Sequence, residues 1–139
     1  MTLSVEDRLE IMEVVARADW AATRRDADTY VGLFTEDAVL DGAQGEHRGS
    51  VELRRSVGPV WASEGTVSAH LTLNTVVRPV DSDSQRATAM SVLLIVQGPL
   101  SLSVAGSWII DQDLIQVDGM WRIERRSVSP LPDHGVEPT

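Results

Sequence analysis

Residues 6–25, EDRLEIMEVVARADWAATRR, decide how the rest of the chain reads. Plotted at about 100° per residue, Glu6, Glu10, Glu13, Arg17 and Arg24 fall on one side. The other side carries Met12, Val14, Val15, Ala16, Ala18 and Ala22. This is an amphipathic helix with one flaw: Asp19, four residues after Val15, lies near the centre of the apolar arc. A carboxylate facing a core is costly unless it is paired or protonated. Asp19 therefore calls for a partner elsewhere in the chain.

Around this helix the signals for neighbouring elements follow in order. Ser4 is a good N-cap, Glu6 and Asp7 suit the first turn, and Arg24 and Arg25 suit the last. Asp26 caps a second helix running through Phe34, with Tyr30, Leu33 and Phe34 on its apolar side. Thr35 to Asp37 closes it, and Ala38 to Leu40 begins a short strand. Asp41 to Gly49, with three glycines, reads as a loop. Ser50 caps a third helix from Val51 to about Val57. Gly58-Pro59 interrupts it, and Pro59 to Ser63 adds a turn that points Val60 and Trp61 inward.

Beyond Gly65 the chain turns to strands: Thr66 to Val80, Gln85 to Gln97, Leu100 to Val117 and Trp121 to Val128. Asp118-Gly119 joins the last two as a tight hairpin. Helices followed by an antiparallel meander predict an α+β domain. It spans residues 1–128, with 129–139 as a loose tail. In Gln85 to Gln97 both alternating sets, Met90/Val92/Leu94/Val96 and Ala89/Ser91/Leu93/Ile95, are largely apolar. Both sheet faces are then covered, one by the helices and the other by a second copy of the chain.

Composition narrows the functional classes. The chain has 139 residues and no cysteine, which excludes disulfides and thiolate chemistry. Its 12 basic and 21 acidic residues give a net charge of -9, which argues against nucleic acid and anionic membranes as partners. No apolar run approaches the ~20 residues that span a bilayer. The start, MTLSVEDRLE, lacks the features of a secretory signal, so the default location is cytoplasmic.

Three histidines are present. His134 falls in the tail and His47 in a charged loop, both as solvated groups. His70 lies in a strand and shares a face with Ser68, Thr72, Asn74 and Val76, a polar row suited to a lined cavity. Asp19 and His70 are thus the acid and imidazole that the pattern turns inward. Paired, they make a base, because a carboxylate on one ring nitrogen fixes the tautomer and raises the basicity of the other. In the alternative, Asp19 caps a backbone group or meets an arginine, and His70 is a satisfied core residue. Asp111, Asp113 and Asp118 read as strand and turn residues rather than metal ligands. Trp20 and Trp61, with Tyr30 and Phe34, are candidates to line a pocket for a flat ligand.

With ARADWAATRRDADTYVGLFTEDAVL (Ala16 to Leu40), HLTLN (His70 to Asn74) and DQDLIQVDGMWRIERR (Asp111 to Arg126), the chain resembles the SnoaL-like branch of the nuclear transport factor 2-like superfamily. This branch includes polyketide cyclases, dehydratases and dehydrochlorinases. The resemblance implies a conical barrel, three N-terminal helices packed in a curved antiparallel sheet, around one apolar pocket and dimerised through the sheet. It also implies that an Asp late in the first helix orients a His on the strand after the third helix, roles that fall to Asp19 and His70. Other features of such proteins are missing. The chain has one tyrosine, Tyr30, no further strand histidine, and Ser129 in place of a basic residue past the last strand. Whether Arg126 turns inward is left open.

The resulting expectation is an acid/base enzyme without cofactor or metal. It would carry out elimination, dehydration, isomerisation or cyclisation on a small apolar, cyclic or aromatic ligand. His70 and Asp19 are its catalytic residues, and Tyr30, Thr72, Asn74, Trp20, Trp61 and Phe34 its substrate contacts. The alternative is a non-catalytic small-molecule-binding dimer of the same fold.

Overall fold

In the computed structural model, which describes residues 2–42 and 44–135, the opening helix runs from Val5 to Thr23 (α1). Ser4 caps it by accepting from the Asp7 amide at 3.0 Å. Its buried residues are Ile11, Val14, Val15, Ala18, Asp19, Ala21 and Ala22. Asp19 is therefore on the inner arc, whereas Met12 and Ala16 flank it and are exposed. Helix α2 (Ala27–Gly32) is shorter than the sequence suggests, although Asp26 caps it as expected.

Phe34 opens a strand rather than closing that helix, because the chain must already pair at its end. Strand β1 (Phe34–Gly42) lies parallel to the last strand, and the Ile123 amide donates to the Leu33 carbonyl at 2.9 Å. The expected glycine-rich loop is a hairpin arm, β2 (Gly45–Arg48), paired with β1. Helix α3 (Ser50–Ser63) passes through Gly58-Pro59 without a break, and its N-cap is Gly49 rather than Ser50. Pro59 removes one helix hydrogen bond, but Leu53, Val57 and Trp61, four residues apart on one buried stripe, hold the helix together across it.

Four long strands complete the chain: β3 (Ser68–Val80), β4 (Asp83–Gln97), β5 (Ser103–Val117) and β6 (Met120–Pro130). The sheet order is β2-β1-β6-β5-β4-β3. It is a mixed, open sheet, since β1 and β6 run parallel and β2 and β3 are its two edges. The hairpin at Asp118-Gly119 is as read from sequence, with φ of 51° and 78° at its two central residues. Because β6 continues to Pro130, the tail starts later than expected. Residues 131–135 carry no regular structure, and 136–139 lie outside the described residues. No helix among the described residues is long and apolar enough to cross a membrane.

Two bulges decide which side chains face the helices. In β3 the register shifts between Leu73 and Val76, with Asn74 left-handed at φ 57°. Ahead of the shift His70 and Thr72 sit opposite Ile95 and Leu93 on the inner face. After it the parity flips: Thr75 bonds buried Ser91 at 2.8 Å and Val77 is buried, while Asn74 and Val76 are exposed. The polar row His70, Thr72, Asn74, Val76 is thereby cut in half. In β6 the register slips where Asp113 faces Arg125 and Leu114 faces Ile123. That slip turns Arg126 inward in place of Arg125.

Asn tolerates the left-handed region that costs most L-residues about 1–2 kcal/mol. We expect Asn74→Ala to lower the urea midpoint by the equivalent of about 1 kcal/mol and Asn74→Gly to leave it within a few tenths. Equal midpoints for the two variants would show that the bulge does not depend on this residue.

Candidate active site

Strand β3 is an edge, so alternate amides on its free side need partners other than a strand. Helix α1 supplies them. Asp19 accepts from the Thr72 amide at 2.9 Å and from the Thr72 hydroxyl at 2.7 Å. Thr23 Oγ1 accepts from the His70 amide at 3.0 Å, and Arg25 donates to Ser68 Oγ at 2.6 Å. The spacing suits the two elements: four helical residues rise about 6 Å, close to the ~6.7 Å advance of two strand residues.

This arrangement corrects the pairing read from the helix. Both Asp19 oxygens are taken by Thr72, and no hydrogen bond joins Asp19 to His70 among the described residues. Of the readings weighed for Asp19, capping of a backbone group is the one observed. Burial raises its carboxyl above the ordinary 3.8, while the Arg126 charge, the Thr72 hydroxyl and the His70 charge act the other way.

The carboxylate on His70 is Glu64. Its Oε2 meets His70 Nε2, and both side chains are almost enclosed, at 8% and 7% exposure. Glu64 is the C-cap of α3, where the helix dipole disfavours a negative charge. Gly65, at φ +91°, then turns the chain back toward β3. The Gln97 side chain fixes this corner by donating to the Glu64 carbonyl at 2.5 Å. An acid at a helix C-terminus was the sequence signal for this partner, as telling as Asp19 on an apolar arc. The remaining polar atoms of the pair, Glu64 Oε1 and His70 Nδ1, are buried without a partner among the described residues.

Glu64 and His70 line a cavity of about 220 Å³ between α3 and the sheet, together with Tyr30, Trp61, Trp108, Leu93, His47 and Arg126. Trp61 packs edge-on against Tyr30 at 5.4 Å between ring centroids, and buried Phe34 backs Tyr30 at 5.0 Å. Burial pushes the Tyr30 phenol above its ordinary value, against the pull of the Arg126 charge, so it stays protonated as a donor. The Trp108 ring lies across Gly106, where even a Cβ would collide with it.

Of the sequence candidates, His70, Tyr30 and Trp61 meet at this cavity. Phe34 stands behind its wall in the core. Asn74 is outside, at the bulge. Trp20 is 60% exposed, with Arg24 stacked on it at 5.0 Å. It lines a separate outer groove with Asp19, Thr72 and one side of His70. His47, expected as a solvated loop residue, instead faces the cavity with its Nε2 buried, because β2 folds back on β1. Among the described residues no group of three His, Cys, Asp or Glu side chains is placed to hold a metal.

The sequence matches the family described as the SnoaL-like domain over residues 3–127. The chain belongs to the SnoaL-like family. Among solved structures it is similar to a protein of unknown function with a cystatin-like fold from Nostoc punctiforme PCC 73102. They share 27% identity over 95% of this chain and 96% of that one, with a TM-score of 0.85. An NTF2-like protein with a cystatin-like fold from Novosphingobium aromaticivorans aligns at 20% identity over 91% and 83% of the two chains, TM-score 0.78. A protein provisionally named a scytalone dehydratase, from Novosphingobium aromaticivorans DSM 12444, aligns at 14% identity over 96% and 91%, TM-score 0.76. These likenesses establish the α+β, NTF2-like fold of this SnoaL-like chain. No curated protein matches it.

Because the Asp19 carboxyl is raised, the folded state holds its proton more tightly than the unfolded chain does. Its contribution to stability is therefore full below about 3.8 and is lost as pH rises through the raised value. Asn can keep both Thr72 contacts without a buried charge. We expect Asp19→Asn to melt at or above the parent temperature near pH 7, an advantage that shrinks toward about pH 4. Asp19→Ala should cost about 1–3 kcal/mol by orphaning the Thr72 donors. A melting difference between the Asn variant and the parent that is flat with pH would count against the raised carboxyl.

Proposed function

We propose that this protein is a cofactor-independent acid/base enzyme acting on a small cyclic molecule, with His70 moving the proton. The observation that carries this reading is the enclosed Glu64–His70 pair on the wall of a cavity. Glu64 bonds Nε2, which orients the ring and, in the neutral imidazole, places the lone pair on Nδ1, an atom with no partner among the described residues. Such a nitrogen can take a proton from carbon or oxygen and return it at a neighbouring position. Elimination, dehydration, isomerisation and cyclisation all have that form. Asp19 acts through β3, holding Thr72 and with it the strand that bears His70.

The apolar wall from Leu93, Val57, Val60 and Trp61 suits a ring, and Tyr30 offers a hydroxyl donor to a carbonyl or leaving oxygen. SnoaL-like membership and the fold shared with the provisionally named scytalone dehydratase support chemistry of this class. The outer sheet face, with Leu71, Leu73, Val76 and Met90 exposed, supports a homodimer formed through the sheet.

Proton transfer at carbon is testable without knowing the natural substrate. In D2O, cyclic ketones and hydroxyketones that bind the protein should exchange their acidic C–H for deuterium faster than in buffer, followed by NMR. His70→Asn and Glu64→Gln should each lower that rate about 10²-fold or more while binding persists. Bound ketones that exchange no faster than in buffer would leave a binding protein of this fold in place of the enzyme. For the dimer, light scattering at micromolar concentration should give twice the monomer mass, and Met90→Glu should give the monomer. A monomeric parent protein would remove that part of the proposal.

A further inference from the structure

One row across the sheet is unlike the rest of the inner face. His47 in β2 sits opposite Leu40 in β1, Leu40 sits beside Arg126 in β6, and Arg126 sits opposite Gln112 in β5. Arg126 is only 4% exposed, yet its guanidinium makes no hydrogen bond or ion pair with any described residue. Its guanidinium carbon lies over the Tyr30 ring, 5.7 Å from the centroid. Gln112 does not serve it, since both amide atoms of that side chain are also unpartnered. The Arg126 charge acts on Asp19, but both oxygens of that carboxyl are on Thr72. His47 Nε2, two strands away along the same row, is buried and unpartnered too.

A guanidinium is permanently charged and carries five donors, so leaving it bare in an enclosed site is costly. Both Arg126 and His47 line the cavity that holds His70. From this we infer that the cavity has an oxyanion subsite, built by Arg126 and His47, which binds an acidic oxygen on the ring ligand: a carboxylate, phenolate or enolate. The inference rests on the acid/base reading for its place in the reaction, and it names the substrate class of that same site. The ring lies along Trp61 and Leu93, its acidic oxygen faces the sheet row, and its reacting carbon faces His70. If His70 takes a proton from the carbon beside a carbonyl, the C–H electron pair becomes the C=C bond of an enolate and the carbonyl π pair moves onto the oxygen. The subsite is then where that new negative charge rests.

The probes are benzoate and benzamide, which share shape and differ in charge, measured by titration calorimetry on the full chain. Benzoate should bind at least about tenfold more tightly than benzamide, because paired charged hydrogen bonds replace neutral ones. Arg126→Gln should bring that ratio near one, and His47→Gln should weaken benzoate at least about threefold while leaving benzamide unchanged. Should the Arg126 variant fail to fold, as judged by its melting transition, the ratio in the parent protein and the His47 variant decide the matter. Equal binding of the two probes, no binding of benzoate, a preference that survives in folded Arg126→Gln, or an unchanged His47→Gln would each overturn the subsite. None of these measurements depends on turnover, so the subsite and the acid/base reading can fail separately.

Discussion

The structure depends on how an edge strand is satisfied. The outer amides of β3 at His70 and Thr72 have no neighbouring strand, and α1 covers them with Thr23 and Asp19. An exposed strand edge invites pairing with another chain, and a buried one strands its donors at about 1–3 kcal/mol each. One carboxylate and one hydroxyl on one helix answer both problems. They also set the height of β3 against α1, and so the height of His70 in the fold.

That constraint gives Asp19 and Glu64 different tasks. Asp19 is buried, near the imidazole in charge but bonded to the strand. Glu64 comes from the end of α3 and reaches the ring itself. One acid holds the backbone that carries the histidine, and the other holds the histidine. The division rests on reach: the Asp side chain ends at the strand edge, whereas the longer Glu, turned back by Gly65, spans from the helix end to the imidazole.

The cavity is polar where secondary structure is irregular and apolar where it is regular. His70 lies just before the Asn74 bulge, Arg126 just after the slip in β6, and Glu64 at a helix end. The slip in β6 turns inward Arg126, a residue that regular alternation would not single out. Buried polar groups without partners are expensive, and those of Glu64, His70 and His47 gather around one cavity, with Arg126 opening on the same space, while Thr35 and Gln112 lie away from it.

The sequence alone determined what depends on local chemistry. The buried arc of α1 with Asp19 upon it, the Ser4 and Asp26 caps, the Asp118-Gly119 hairpin, the order of the four long strands and the inward face of His70 all follow from periodicity, capping and turn preference. The SnoaL-like kinship was legible for the same reason, since it is carried by the order of those elements. What only the tertiary structure decided was partnership. Asp19 meets Thr72 and not His70, Glu64 takes the imidazole, β1 runs parallel to β6, and His47 turns into the cavity. These depend on pairings across tens of residues and on two bulges, and a shift of one residue in a strand reverses every side chain beyond it. Alternation in the sequence cannot register such a shift, because the extra residue exists only relative to the strand alongside.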